Sequence, residues 1–416
     1  MTQLTHRPDL DTGPRPIDAD QLIAREDALG AHNYKPLDVV LSHARGAWVW
    51  DTEGRQYLDC LSAYSAVNQG HCHPRIIGAL TEQAQQVTLT SRAFRNDRLA
   101  GFYETLTRLL GYSAVIPMNT GAEAVETAIK LARKWAYEVR GVPHDQAEII
   151  VMEGNFHGRT TTLVSFSSEA QYKSAFGPLT PGFVRVPYGD AAAIEAAITP
   201  NTAGVLFEPI QGEAGVIVPP QGFLTELRAV CDRHGILMMA DEIQTGLGRT
   251  GQWLACDHEG VRPDVVILGK ALGGGVYPVS AVLSSRELMD LFRPGDHGST
   301  FGGNPLAAAV AQASLEVLED EALPGRALEL GEYLRGRLQA MNSPHVADIR
   351  GKGLLIGVEL RGPARAACER LRDLGVLCKE THVTTMRLAP PLVTSREDLD
   401  WALERIEQVL LDPALL

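Results

Sequence analysis

A lysine and an aspartate each stand just past an apolar run. Lys270 lies one glycine beyond Val265 to Leu268 in VVILGKALGGG, and Asp241 follows Ile236 to Ala240 in ILMMADEIQTG. In an open parallel sheet, ligands bind beyond the carboxyl ends of the strands, so both groups would face one crevice. An amine there can form a Schiff base with an aldehyde, and a carboxylate can keep a ring nitrogen protonated. Pyridoxal 5'-phosphate offers both partners. Burial would lower the pKa of Lys270 and make it nucleophilic near neutral pH, and the freed amine would then be placed to move a proton. Gln244, three residues past Asp241, is positioned to donate to a ring oxygen.

Other residues suit the rest of such a ligand. In MNTGAEAVETAIKLARKW (118–135), Thr120 and Glu123 form a capping-box pattern that opens a strong helix. Gly121 and Ala122 leave backbone N–H groups open at its positive end, a natural phosphate cradle, although a capped helix that binds nothing shows the same pattern. Arg159 in NFHGRTTT and Arg387 in MRLAPPL have the fork geometry that grips a carboxylate; taken singly, each reads as a surface residue. Phe156 either stacks on a ring or fills the core. Two motifs point elsewhere and fail. Gly246-Leu-Gly248-Arg-Thr-Gly251 matches a dinucleotide fingerprint but does not join a strand to a helix. His71-Cys72-His73 resembles a metal cluster, yet adjacent ligands have poor geometry and no second pair follows.

Placing these groups in one crevice requires a sheet. Helical patterns at 98–110, 121–140, 190–198 and 222–234 alternate with apolar runs at 148–152, 183–187, 203–207, 236–240, 265–269 and 279–284. Such alternation predicts a mostly parallel α/β sheet. Short alternating runs between Val39 and Leu61 predict a small antiparallel meander. After a long helical stretch beyond Asn304, a second α/β piece is expected, with strands near 346–350 and 353–360 and helices near 363–374 and 395–411. The expected organisation is an N-terminal arm (1–30) and meander within 1–65, a large cofactor-binding domain at 66–310, and a small domain at 311–416 that the meander joins.

A formal net charge of -13 argues against nucleic acid or an anionic membrane as partner. Six scattered cysteines without CxxC spacing read as reduced thiols. No apolar run approaches the ~18 residues of a membrane span, and the N-terminus, MTQLTHRPDLDTGPRP, lacks the apolar core of a signal peptide. A cytoplasmic enzyme is expected.

Together these segments resemble the subgroup III (ω-amino acid) aminotransferases, pyridoxal phosphate enzymes, from Asn33 to about Val393. ADEIQTGLGRTG followed by PDVVILGKALGGGVYP is highly specific for that group. NYKPL, SAYSAVNQGHCHP, PMNTGAEA, EPIQGEAGV, HGSTFGGNP and RLAPPLV are most similar to its ornithine branch. The resemblance implies the aspartate-aminotransferase-like fold (fold type I), with a large, mostly parallel seven-stranded sheet and a smaller α/β domain. It also implies a homodimer with shared sites, transferring the δ-amino group of L-ornithine to 2-oxoglutarate. Gly121, Ala122 and Ser299 would bind the cofactor, with Thr300 reaching it from the partner chain; Phe156 would stack on the ring. Asp241 would pair with the ring nitrogen, Gln244 would contact the ring oxygen, and Lys270 would hold the aldehyde. Tyr34 and Arg159 would hold the α-carboxylate of ornithine, and Tyr64 would line the pocket. Glu213 would mask Arg387 until a dicarboxylate displaces it. The FHGRT segment follows the acetylornithine branch instead at His157, so an acetylornithine or 4-aminobutyrate aminotransferase remains the alternative.

Overall fold

The computed structural model describes residues 18–415, so residues 1–17 of the expected N-terminal arm lie outside the described part. The rest of that arm is a helix, Ala19–Leu29, capped by Asp18 and burying none of its side chains.

The N-terminal meander comprises β1 (Leu41–Arg45), β2 (Trp48–Asp51) and β3 (Gln56–Asp59), paired antiparallel in sequence order. The central sheet contains β4 (Ala114–Met118), β5 (Glu148–Met152), β6 (Phe183–Val186), β7 (Thr202–Phe207), β8 (Leu237–Asp241), β9 (Val265–Leu268) and β10 (Ser280–Ser284). Its seven strands run in the order β4-β10-β9-β8-β7-β5-β6. Neighbours from β9 through β6 pair parallel, and β10 alone is antiparallel to both of its neighbours. The C-terminal part adds β11 (Val346–Lys352), β12 (Leu355–Leu360), β13 (Val376–Leu377), β14 (Lys379–Thr381) and β15 (Thr385–Leu388). β11, β12, β15 and β14 make a third sheet, while β13 pairs parallel with β3 and ties the meander to the C-terminal chain.

Continuous apolar runs make these central strands because the sheet is covered on both faces. Successive side chains alternate between faces. In β8, Leu237 and Met239 pack toward the buried stripe of the 121–138 helix (Ala124, Ala128, Leu131), whereas Met238 and Ala240 pack against Leu227 and Val230 of the 223–234 helix. The layers hold the strand ends rigid. Those ends carry the chemistry.

The segment that mimicked a dinucleotide fingerprint is a structural knot. Arg249 is fully buried and donates to Asn68 Oδ1 (2.6 Å), Leu354 O (2.8 Å) and Pro390 O (2.6 Å), joining three distant stretches of chain. Burial pushes its guanidinium down to about 9, with Asp59 opposing the shift only in part. Among the described residues no helix is long and apolar enough to cross a membrane.

Candidate active site

Asp241 ends β8, and Lys270 begins the turn that follows β9. Because the two strands are hydrogen-bonded neighbours, both side chains reach one cavity of about 150 Å³. Gly121, Ala122, Phe156, Gln244 and Glu208 also line it. Lys270 has φ +45, a left-handed conformation that costs a non-glycine residue energy and persists only where the surroundings impose it. Burial presses its amine below the ordinary lysine value; Glu213 opposes that shift, and Arg387 adds to it.

The carboxylate of Asp241 is held from two sides. Oδ1 accepts from the Ile243 N–H at 3.1 Å, and Oδ2 accepts from His157 Nδ1 at 2.6 Å. His157 is buried, and burial disfavours its charged form, but the bond to Asp241 outweighs this and raises its pKa. Its Nε2 finds no partner among the described residues. Glu208, just past the end of β7, accepts the Phe156 N–H at 3.0 Å. The composition of the sequence did not single out either group for this role. The rule that picked Asp241, a carboxylate following a fully apolar strand, would have found Glu208 too.

At the opposite wall, the 121–138 helix is capped as expected: Thr120 Oγ1 accepts from the Glu123 N–H, and the Glu123 carboxylate accepts from the Thr120 N–H. That exchange satisfies the third helical amide and leaves those of Gly121 and Ala122 at the cavity. A Cβ on Gly121 would come within 2.9 Å of Ile243 Cδ1, so a larger residue there would require the Ile243 side chain to move. The residues therefore fit pyridoxal phosphate. Two uncovered amides at a helix N-terminus suit a phosphate, Phe156 can wall an aromatic ring, a buried carboxylate suits a ring nitrogen, and a buried amine suits an aldehyde.

A second cavity of about 540 Å³ shares Phe156 and Lys270 with the first. Tyr34, Tyr64, Arg159, Glu213 and Arg387 line it. The two guanidiniums differ sharply. Arg159 lies over the Tyr172 ring at 4.1 Å, and no carboxylate pairs with it among the described residues. Arg387 is 1% exposed, its NH1 bonds Glu213 Oε1 at 2.6 Å, and it lies 4.9 Å from the Tyr64 ring. Burial alone would raise the Glu213 pKa, but Arg387 and Lys270 together bring it down to about 2. Gln244 Nε2 also donates to Glu213 Oε1, at 3.1 Å, linking this ion pair to the smaller cavity. Tyr64 is aimed by four consecutive left-handed residues, Ser62 to Ser65, anchored where Asp59 Oδ1 accepts the Leu61 and Ser62 N–H groups.

Ser299 and Thr300 line neither cavity of their own chain. Ser299 Oγ accepts from Asn119 Nδ2 at 2.9 Å, and Thr300 is exposed.

Burial pushes the carboxyls of Glu208 and Glu242 up to about 7. An unfolded glutamate ionises near 4.5. Between these values the native state keeps protons that the unfolded chain has lost, so stability falls as pH rises. The melting temperature should decline from about pH 5 to about pH 8, and Glu242→Gln should flatten part of that slope. Thermal denaturation of the two proteins across the range is the check, and parallel slopes would count against a protonated Glu242.

The family model for Aminotransferase class-III matches residues 29–410. The chain is 60% identical over 390 residues to the ornithine aminotransferase of Bacillus subtilis (strain 168), covering 94% of this chain and 97% of that protein. An ornithine aminotransferase structure from Toxoplasma gondii, described with partial occupancy of PLP at the active site, superposes with a TM-score of 0.93 at 45% identity. That match covers 95% of this chain and 94% of the other. The acetylornithine aminotransferase structure from Elizabethkingia anophelis gives 0.87 at 48% identity, over 95% of this chain and 100% of that one.

Proposed function

The chain belongs to the class-III aminotransferase family, and we propose that within it this enzyme transfers the δ-amino group of L-ornithine to 2-oxoglutarate. The products are glutamate and glutamate-5-semialdehyde, which closes to pyrroline-5-carboxylate. The cofactor is pyridoxal 5'-phosphate, which supplies, when bound, an aldehyde for the amine and a ring that withdraws electrons from the adjacent carbon. The amides of Gly121 and Ala122 would hold its phosphate, Phe156 would cover the ring, and Asp241 would pair with the ring nitrogen. His157 Nδ1, 2.6 Å from Asp241 Oδ2, holds that carboxylate in place. Lys270 Nζ would hold the cofactor aldehyde and, once free, would take up and return the substrate's proton.

The observation that carries the substrate reading is the contrast between one open and one masked guanidinium in a single cavity. Arg159, with Tyr34 beside it, takes the α-carboxylate of ornithine and leaves the far amine at Lys270. Arg387 is not needed for a monocarboxylate, and Glu213 keeps it covered. A dicarboxylate needs both arginines. Separating a buried pair is costly unless a new anion replaces the old one, so 2-oxoglutarate itself drives Glu213 aside. The 60% identity to an ornithine aminotransferase supports the same substrate. A panel of L-ornithine, N-acetylornithine and 4-aminobutyrate with 2-oxoglutarate tests this reading. The highest kcat/KM is expected for ornithine; a preference for N-acetylornithine would replace it.

Glu213→Ala should lower selectivity for ornithine over glutamate, as amino donors, by on the order of tenfold or more, because Arg387 is then always open to an α-carboxylate. Separate half-reactions with each donor give the ratio, and an unchanged ratio would reject the gate.

We assign Ser299 and Thr300 to the phosphate of the opposite site in a homodimer. The exposed side chains of Tyr34, Phe94 and Phe301 support a partner surface beside them. Six free cysteines support a cytoplasmic location.

A further inference from the structure

Glu213 projects from a short loop that is closed at its base and strained at its tip. Gln211 and Ile217 exchange backbone hydrogen bonds at 3.0 and 2.9 Å. Between them Gly215 has φ +113 and Val216 has φ +54. A β-branched residue in the left-handed region is a genuine outlier, and Val216 is fully buried there. Such a conformation persists only when neighbours over-determine it.

Arg350 of β11 is the neighbour that does so. Its Nε donates to Gly215 O (3.0 Å) and Val216 O (3.2 Å), and NH2 donates again to Gly215 O (2.6 Å). The same NH2 reaches Glu359 Oε2 at 2.8 Å and Thr385 Oγ1 at 3.2 Å, so the guanidinium is itself fixed to β12 and β15. The fit leaves no slack. A Cβ on Gly215 would lie 2.9 Å from Thr385 Oγ1, and one on Gly357 of β12 would lie 3.0 Å from Gly215 O. Thr381 Oγ1 adds a bond to Glu213 O at 2.6 Å. Two residues before Gly215, the Glu213 carboxylate meets Arg387.

We propose that Arg350 is a positioning residue. By clamping the left-handed Gly215–Val216 turn it holds Glu213 over Arg387, and so sets the balance between monocarboxylate amine and dicarboxylate substrates without touching either. Without the clamp, Val216 relaxes toward an ordinary conformation, the loop shifts, and the Glu213 carboxylate drifts off the guanidinium. This rests on Glu213 acting as the mask of Arg387. Selectivity is therefore the readout, since a purely structural role would depress both half-reactions alike.

The experiment measures kcat/KM for L-ornithine and for L-glutamate in separate half-reactions of the holoenzyme. The proteins are wild type, Arg350→Met, Glu213→Ala and the double variant. Arg350→Met should lower the ornithine-to-glutamate ratio about tenfold, and adding it to Glu213→Ala should shift the ratio no further. Arg350→Lys, which keeps the charge beside Glu359 but lacks the rigid fork that spans both carbonyls, should move the ratio in the same direction by less; it serves if the methionine variant fails to fold. A ratio shifted by Glu213→Ala but by neither Arg350 variant would overturn the clamp alone. An equal Arg350 effect with and without Glu213 would also overturn it. No shift in Glu213→Ala would overturn the gate and the clamp together.

Discussion

Lys270→Ala should retain the cofactor yet lose turnover by on the order of 10⁴-fold, the upper range for removal of a positioned proton-transfer group. Retention is expected because Gly121, Ala122, Phe156 and Asp241 are untouched by the change. The loss follows from geometry. Lys270 is the one lysine lining the smaller cavity, and it also faces the larger one, so its removal takes away the amine that the two cavities share. Its lowered pKa favours the uncharged amine, the form that can accept a proton. Single-turnover kinetics with L-ornithine, with bound cofactor quantified separately, is the measurement. Turnover within tenfold of wild type would remove Lys270 from the mechanism.

Asp241→Asn should cost about 10²–10³-fold in kcat, the range seen when one preorganised electrostatic contact is removed. The amide can still bond the Ile243 N–H, so the fold should survive. What it cannot do is offset a positive charge on a ring nitrogen, because it carries no charge itself. The buried position magnifies the loss: Asp241 is 4% exposed, and water cannot replace the missing carboxylate. His157 would lose its anionic partner in the same step, and its raised pKa should fall, since burial would then act unopposed by that bond. NMR titration of the His157 ring in the two proteins reports this, independently of activity. A kcat unchanged by the substitution would place the ring nitrogen elsewhere.

Much of this was legible in the chain because the central strands are apolar on both faces and bounded by helices with clear caps. The runs at 148–152 and 265–269 lie on β5 and β9, and Thr120 with Glu123 marks the start of the 121–138 helix. β4 escaped for a physical reason. It is the edge strand of its sheet and contains Pro117, which cannot donate to a ladder and reads as a break. β13, β14 and β15 are two to four residues long, too short to show a period of two. The 74–84 helix starts at Pro74 without a side-chain cap, which removes the usual opening signal.

The site was legible to a similar depth. Residues at strand ends announced themselves by position, whereas those on strained loops did not. Nothing in SAYSA foretells four left-handed residues without a glycine, and nothing in GEAGV marks Val216 as an outlier. The turn at Ser62 is tied to the nearby Asp59, but the Val216 conformation is held by a distant partner, Arg350, which sequence proximity does not reveal. The same holds for His157, whose partner Asp241 lies far along the chain at the end of β8.

Peptide mapping of the holoenzyme after borohydride reduction tests the core of this account most directly. A pyridoxyl group found on the peptide bearing Lys270, and on no other, is the predicted result. A label on a different lysine, or a fully active enzyme that carries none, would contradict it.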